Sequence, residues 1–205
     1  MASHTGMKIG IVSDIHSNLR GLQAGLDRMG EIDELLCAGD VLLQYRWSDS
    51  VVRALRDMDA RIVLGNHDQV LLGPAGARAL SNSDVDEDLV EWMRSRPRSL
   101  DIEVGGRKIL MTHGSPWDES PNYVYPHSPV WGQAAGLNCD ALIVGHTHFK
   151  MAERFGGVLV INPGSAGDPR DHRNRFQLSC ATWDTDSDEV TFHDYEDPAR
   201  AAAPE

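Results

Sequence analysis

The chain has 205 residues, of which 41% are hydrophobic and 24% charged, and its formal net charge is −12. That size and apolar content support one globular domain that buries its own core without disulfides, and the acidic balance excludes a broad nucleic-acid footprint, which needs clustered Lys and Arg. No apolar run approaches the roughly 18 residues that cross a bilayer, and the first residues lack the charged-then-apolar order of a secretory signal, so a cytoplasmic protein with no membrane partner is expected.

Residues 2–6 read as a tag remnant, because Met7-Lys8-Ile9 leads directly into an apolar run. The domain is therefore placed at residues 7–196, with 1–6 outside the fold and the Ala- and Pro-rich stretch 197–205 as a flexible tail. Cys37, Cys139 and Cys180 lie far apart among apolar or small neighbours. They read as buried free thiols, with no disulfide framework and no Cys-x-x-Cys zinc site.

Residues 8–12 form a short apolar run, and 18–29 space Leu19, Leu22, Leu26 and Met29 at helical intervals, which predicts strand then helix. Residues 35–38 predict a second strand, 48–58 a second amphipathic helix and 61–64 a third strand. This alternation implies parallel pairing through crossover helices. Residues 71–83 carry Gly and Pro breakers and read as a loop or frayed helix, whereas 84–95 runs from acidic to basic, the charge order that suits a helix dipole. From Ser99 the pattern changes to strand, Gly105-Gly106 turn and strand. Residues 114–129, with four prolines, predict a long irregular loop, and 131–137 a short helix. Strands are expected at 141–144, 150–154, 158–161, 176–183 and 189–195. The class is α/β, with two facing sheets and helices outside.

Asp14 and His16 follow the first strand two residues apart, so in extended backbone their side chains share a face and can grip one ion. Asp40 follows Gly39 at the end of the second strand, and Asn66-His67-Asp68 follow Gly65 at the end of the third. His113 closes the hairpin, and His146 and His148 follow Val144-Gly145. Each group stands at the carboxyl end of a strand, where open α/β sheets bind ligands. Singly such residues are turn or cap residues; together, with Gly at 39, 65, 114 and 145 permitting close backbone approach, they form a constellation. Nitrogen and oxygen donors without thiolate suit Mn, Fe, Co, Ni or Zn. Two such divalent ions, offset by two carboxylates and a hydroxide, leave a net positive centre that attracts a phosphate oxyanion.

Asp14-x-His16, Gly39-Asp40, Gly65-Asn66-His67-Asp68, His113-Gly114 and Gly145-His146-Thr147-His148 resemble, in order and spacing, the signature of calcineurin-like metallophosphoesterases across residues 8–165. The resemblance implies a four-layer α/β/β/α sandwich with two mixed sheets. It implies two divalent transition-metal ions, Mn first and Fe, Ni, Co or Zn as alternatives. One would be held by Asp14, His16, Asp40 and His148, the other by Asp40, Asn66, His113 and His146, with Asp40 bridging. The expected activity is hydrolysis of a small phosphodiester, a cyclic nucleotide being the first choice, or of a phosphomonoester, by in-line attack of a metal-bridging hydroxide.

His67 is left free of metal for proton work, with a structural role as the alternative, and Asp68 is expected to cap the following helix. Arg170, after the family-like segment Asn162-Pro163-Gly164-Ser165, is expected either to contact a substrate phosphate or to pair with a nearby Asp. His127 and His172 read as surface histidines. Two departures stand out: Trp117 replaces an Arg common in related sequences, and Leu43 stands where protein phosphatases place a second Asp, leaving the orientation of His67 open. The rival reading from another class is a non-catalytic protein-binding scaffold like the retromer subunit of the same fold, and retention of His67 with all the ligand positions favours the enzyme. No phosphate-binding Gly-rich loop, nucleophile elbow or His-Glu-x-x-His helix is present. A small phosphate ester is the expected partner, and a homo-oligomer is left open.

Overall fold

Apolar runs without a polar side make strands covered on both faces, and the strands at residues 8–12, 141–143, 158–162 and 178–184 follow that rule, whereas those at 99–104, 151–155 and 190–195 alternate with exposed residues. The computed structural model describes residues 6–117 and 122–198. The expectations for residues 1–5, for 199–205 and for part of the 114–129 loop therefore lie outside the described residues. The elements run β1 (Lys8–Val12), α1 (Leu19–Met29), β2 (Glu34–Cys37), α2 (Asp49–Asp57), β3 (Arg61–Ile62), α3 (Asn66–Leu72), α4 (Ala77–Leu80) and α5 (Glu87–Arg94). Then follow β4 (Ser99–Val104), β5 (Arg107–Thr112), a 3-10 helix at Pro129–Gly136, β6 (Ala141–Ile143), β7 (Met151–Phe155), β8 (Val158–Asn162), β9 (Leu178–Asp184) and β10 (Val190–Tyr195).

The strands form two five-stranded sheets, ordered β10-β9-β1-β2-β3 and β4-β5-β6-β8-β7. Within the first, β1, β2 and β3 pair in parallel and β9 runs antiparallel to β1. Within the second, β5, β6 and β8 are parallel and the edge strands β4 and β7 antiparallel. Both sheets are mixed, as expected. Ile9, Ile11 and Leu36 of the first meet Ile109, Met111 and Ile161 of the second between the layers. The residues one position away, Val12, Leu35 and Cys37, face the helices and pack on Leu22, Val52 and Leu55. Leu142, Val158 and Val160 turn the other way, toward Trp131 and Ala134 of the 3-10 helix. Burying each such aliphatic side chain contributes about 1.5–3 kcal/mol, so the pleat alone specifies four layers.

Asn18 caps α1 by accepting from the Gly21 amide at 2.9 Å, and Asp86 caps α5 by accepting from Asp88 and Leu89. Several expectations needed adjustment. The ladder of β3 ends early because the Leu64 amide turns to the Pro97 carbonyl at 2.7 Å. Gly73 and Pro74 divide the 71–83 stretch into the end of α3, a 3-10 turn at Pro74–Gly76 and α4. The fourth layer is thinner than expected, since the segment starting at Pro129 and carrying Gly132 and Gly136 winds as a 3-10 helix. Cys37 and Cys180 are buried free thiols, but Cys139 is only half-buried. Asp197, expected in a loose tail, accepts a hydrogen bond from Asn18 Nδ2 at 3.1 Å and is tied to the start of α1. Among the described residues no helix is long and apolar enough to cross a membrane.

Candidate metal centre

The candidate residues emerge where β1, β2, β3, β5 and β6 end side by side. Their backbone has left the strand conformation: Asp14 (φ 53), His16 (φ 48), Asp40 (φ 50), His146 (φ 67) and His148 (φ 61) are all left-handed. This corrects the expectation that Asp14 and His16 share a face through strand alternation. The tight turn, not the pleat, brings them together, with His16 Nε2 at 3.9 Å from Asp14 Oδ1. A non-glycine residue in this region costs roughly 1–3 kcal/mol, and hydrogen bonds between neighbouring loops hold it there. The amides of Asp14, His16 and Ser17 donate to the carbonyls of Gly39, Asp40 and Val41 at 2.9 to 3.0 Å.

Three groups of buried or half-buried ligand atoms result, each within 4.8 Å: Asp14 with His16 and His148, Asp40 with His113 and His146, and His16 with Asp40 and His67. Each carboxylate has one oxygen pinned and one directed into the cluster. Asp14 Oδ2 accepts from Ser13 Oγ at 2.7 Å and from the His146 amide at 3.0 Å, leaving Oδ1. Asp40 Oδ1 accepts from the His67 amide at 2.9 Å, leaving Oδ2. The imidazoles are set in the same manner. His113 Nδ1 donates to the Ala38 carbonyl at 2.7 Å and His148 Nδ1 to that of Asp168 at 2.5 Å, so the Nε2 of each faces the centre.

There His148 Nε2 lies 3.2 Å from Asp14 Oδ1 and 3.3 Å from His16 Nε2, while His113 Nε2 lies 3.2 Å from Asp40 Oδ2 and from His146 Nδ1. Among the described residues, Asn66 Oδ1, His146 Nε2 and His67 Nδ1 are buried with no hydrogen-bond partner. Lone pairs crowded this closely repel unless a positive charge sits among them. The set of nitrogen and oxygen donors fits divalent transition ions.

Without a metal, protons must supply that charge. Burial alone would lower the His113 imidazole, but the Asp40 and Asp14 carboxylates and the bond to Ala38 carry it up to about 9. His148 is raised against its burial by Asp14, whereas burial and the neighbouring His113 push His146 down to about 4. Asp14 and Asp40 are held low, against burial, chiefly by His148 and His113 respectively. Because the His113 value lies above the ordinary 6.5, its proton is present at neutral pH and would have to leave if a cation took this nitrogen. Metal affinity should therefore rise by at least roughly tenfold per pH unit up to about 9. Calorimetric titration in buffers of different ionisation enthalpy should register the released proton; a pH-independent affinity without release would contradict this.

Asn66, the first residue of α3, lines a cavity of about 360 Å³ together with His113, Gln69 and Thr112. His67 Nε2 is 4.0 Å from Asp40 Oδ2, and its ring stands edge-on to His16 at 4.8 Å. The hydrogen bond from the His67 backbone amide to Asp40 Oδ1 holds the chain beneath that ring. Asp68 caps α3 through the Gly65 amide at 3.0 Å and does more than expected, accepting also from Val41 at 3.2 Å and Leu42 at 2.9 Å. It thereby locks the loop that carries Asp40.

Arg170 pairs with Asp168 at 2.8 Å, the ion-pair alternative of the two expected. His127 and His172 are exposed, and Trp117 packs edge-on against Trp131 at 5.8 Å. Sequence reasoning missed Ser13, which carries no signal of its own, and Tyr123, whose ring stacks on His146 at 3.9 Å. Asn162 and Ser165 could have been found from the segment quoted above: Asn162 Nδ2 donates to the Gly145 carbonyl at 2.8 Å and Ser165 Oγ to that of Asp14 at 2.7 Å.

Comparison with known proteins fits this arrangement. The chain is 27% identical over 170 residues to the phosphodiesterase MJ0936 of Methanocaldococcus jannaschii, covering 77% of this chain and 83% of that protein. Its structure resembles a metallophosphoesterase from Sphaerobacter thermophilus with a TM-score of 0.74 and 25% identity, covering 98% and 96% of the two chains. It also resembles, more distantly, vacuolar protein sorting 29 from Cryptosporidium parvum, with a TM-score of 0.52 and 22% identity over 93% and 98% of the two chains. The model of the calcineurin-like phosphoesterase superfamily domain matches residues 7–188, and the chain belongs to that family.

Proposed function

We propose that the protein is a dinuclear metal-dependent phosphoesterase acting on a small phosphodiester, with phosphomonoesters as the second substrate class. The observation that carries this reading is the convergence of Asp14, His16 and His148 with Asp40, His113 and His146, each carboxylate half-pinned and half-directed inward. In it Asp14, His16, Asp40 and His148 hold one ion, and Asp40, Asn66, His113 and His146 the other. Manganese is the first choice, and Fe, Ni, Co or Zn suit the same donors. When bound, such a pair lowers the pKa of a water and neutralises charge on the attacking and leaving oxygens. A relative that is itself a phosphodiesterase supports the diester preference.

The chain's own groups do the rest. Ser13, the His146 amide and the His67 amide fix the carboxylates, and the Ala38 and Asp168 carbonyls fix the imidazole tautomers. His67 Nε2 stands 4.0 Å from Asp40 Oδ2, where the imidazole stabilises charge growing on the scissile oxygens or passes a proton to the leaving group. His67→Ala should lower turnover roughly 10²- to 10⁴-fold with metal content unchanged by elemental analysis. Near-normal turnover with both metals retained would remove His67 from the chemistry.

Hydrolysis of matched monoesters and diesters with Mn, Ni, Co, Zn and Mg tests the whole reading. A metal-loaded but inert protein would favour the scaffold alternative, which has in its support only the more distant similarity to vacuolar protein sorting 29.

A further inference from the structure

The segment after residue 121 passes close to the centre with its side chains alternating. Val124 packs into the cluster around Trp131 and Val144. Its neighbours are thereby turned outward: Tyr123 is 53% and Tyr125 47% exposed. The backbone beneath them is anchored, since Trp131 Nε1 and the Ser128 amide both donate to the Tyr125 carbonyl, each at 3.1 Å. Two large aromatic side chains thus stand outside the core, on a backbone anchored at Tyr125.

Their surroundings are aromatic as well. Tyr123 lies on the face of His146 at 3.9 Å, and Tyr125 lies nearly parallel to Tyr123, with 16° between planes and 6.2 Å between centroids. Phe149, directly after His148, meets Tyr125 edge-on at 5.2 Å, and the Arg173 guanidinium covers Phe149 at 5.1 Å. A ridge of rings therefore runs outward from the candidate metal ligands, half open to solvent. A planar ring attached to a phosphate at the centre would be within reach of this ridge, and exposed anchored aromatics bind bases through their π-faces without demanding one hydrogen-bond pattern.

We infer that Tyr123 and Tyr125 form a stacking platform for the base of a nucleotide substrate. This rests on the phosphoesterase reading and narrows its substrate class from phosphate esters in general to nucleotides. A phosphate bound at the ends of β1, β2, β5 and β6 would be the fixed end of the ligand, and the base the end that sets specificity. Because stacking tolerates every base, the platform selects nucleotides over base-free esters rather than one nucleotide over another.

Binding to the Mn-loaded full chain tests it by calorimetry, with AMP and ribose 5-phosphate as probes that share a phosphorylated ribose and differ in the base. AMP should bind about tenfold or more tightly than ribose 5-phosphate. Tyr123→Ala should bring the ratio close to one, Tyr125→Ala should reduce it, and Tyr123→Phe, which keeps the ring, should preserve it. Equal affinities in the unaltered protein would overturn the platform while leaving the phosphoesterase reading intact, as would a Tyr123→Ala variant that weakens both probes alike. No binding of either probe would count against the metal centre as a phosphate site, and the platform would fall with it.

Discussion

Replacing Asp40 with Asn should lower turnover of any phosphate ester by roughly 10³-fold or more, because loss of the ions forfeits several kcal/mol of charge stabilisation. The side chain keeps its volume, so the fold has no packing reason to change. What changes is charge. Asp40 Oδ2 lies 3.2 Å from His113 Nε2 and 4.0 Å from His67 Nε2, in the middle of the proposed pair of sites. An amide there removes one of the two buried carboxylates that offset the ions and can present an N–H₂ donor where a lone pair is required. The metal-free variant should also bind protons less tightly at His113, whose raised value depends on Asp40. Elemental analysis should show metal lost, circular dichroism should show the fold kept, and the His113 resonance should titrate at lower pH. Full metal content with normal turnover would remove Asp40 from the bridging position.

How much of this was legible in the sequence depends on which physical scale wrote it. Apolar periodicity placed nearly every strand and helix, because strands buried on both faces leave no polar interruption between Ile9 and Val12 or between Val158 and Ile161. The candidate ligand positions were legible because strand ends converge in space, and a polar residue after each apolar run shows in one dimension. Their conformation was not. Asp14 and His16 meet through left-handed backbone that no residue pattern announces, since only the tertiary hydrogen bonds to Gly39 and Asp40 hold it. The short helix predicted at 131–137 is present, but its 3-10 winding from Pro129 was likewise hidden, because a short segment with glycines and few intrahelical bonds takes its winding from the sheet it covers. Tyr123 could not be read at all, as its role depends on a loop returning to His146.

Gly65→Ala should cost about 3 kcal/mol or more of stability and lower metal affinity at the same time. A Cβ at that position would lie 2.1 Å from Asp40 Oδ1 and 2.3 Å from the Asp40 amide nitrogen. Backbone cannot rotate out of the way as a flexible side chain can, so the end of β2 and the start of α3 must separate. The same movement pulls the Gly65 amide from Asp68 and the His67 amide from Asp40, two bonds that fix the proposed bridging carboxylate. Stability and metal binding therefore fall together. For a chain of this size a loss of about 3 kcal/mol corresponds to a melting point lower by roughly 6–12 °C. Gly157→Ala is the matched control, because a Cβ there meets nothing within 4 Å and the change should stay within about 0.5 kcal/mol. Thermal unfolding with and without Mn separates the outcomes: Gly65→Ala should show a lower melting point and a smaller rise on adding metal. If it melted and bound metal like the control, the close approach of β2 and α3 would not be what positions Asp40.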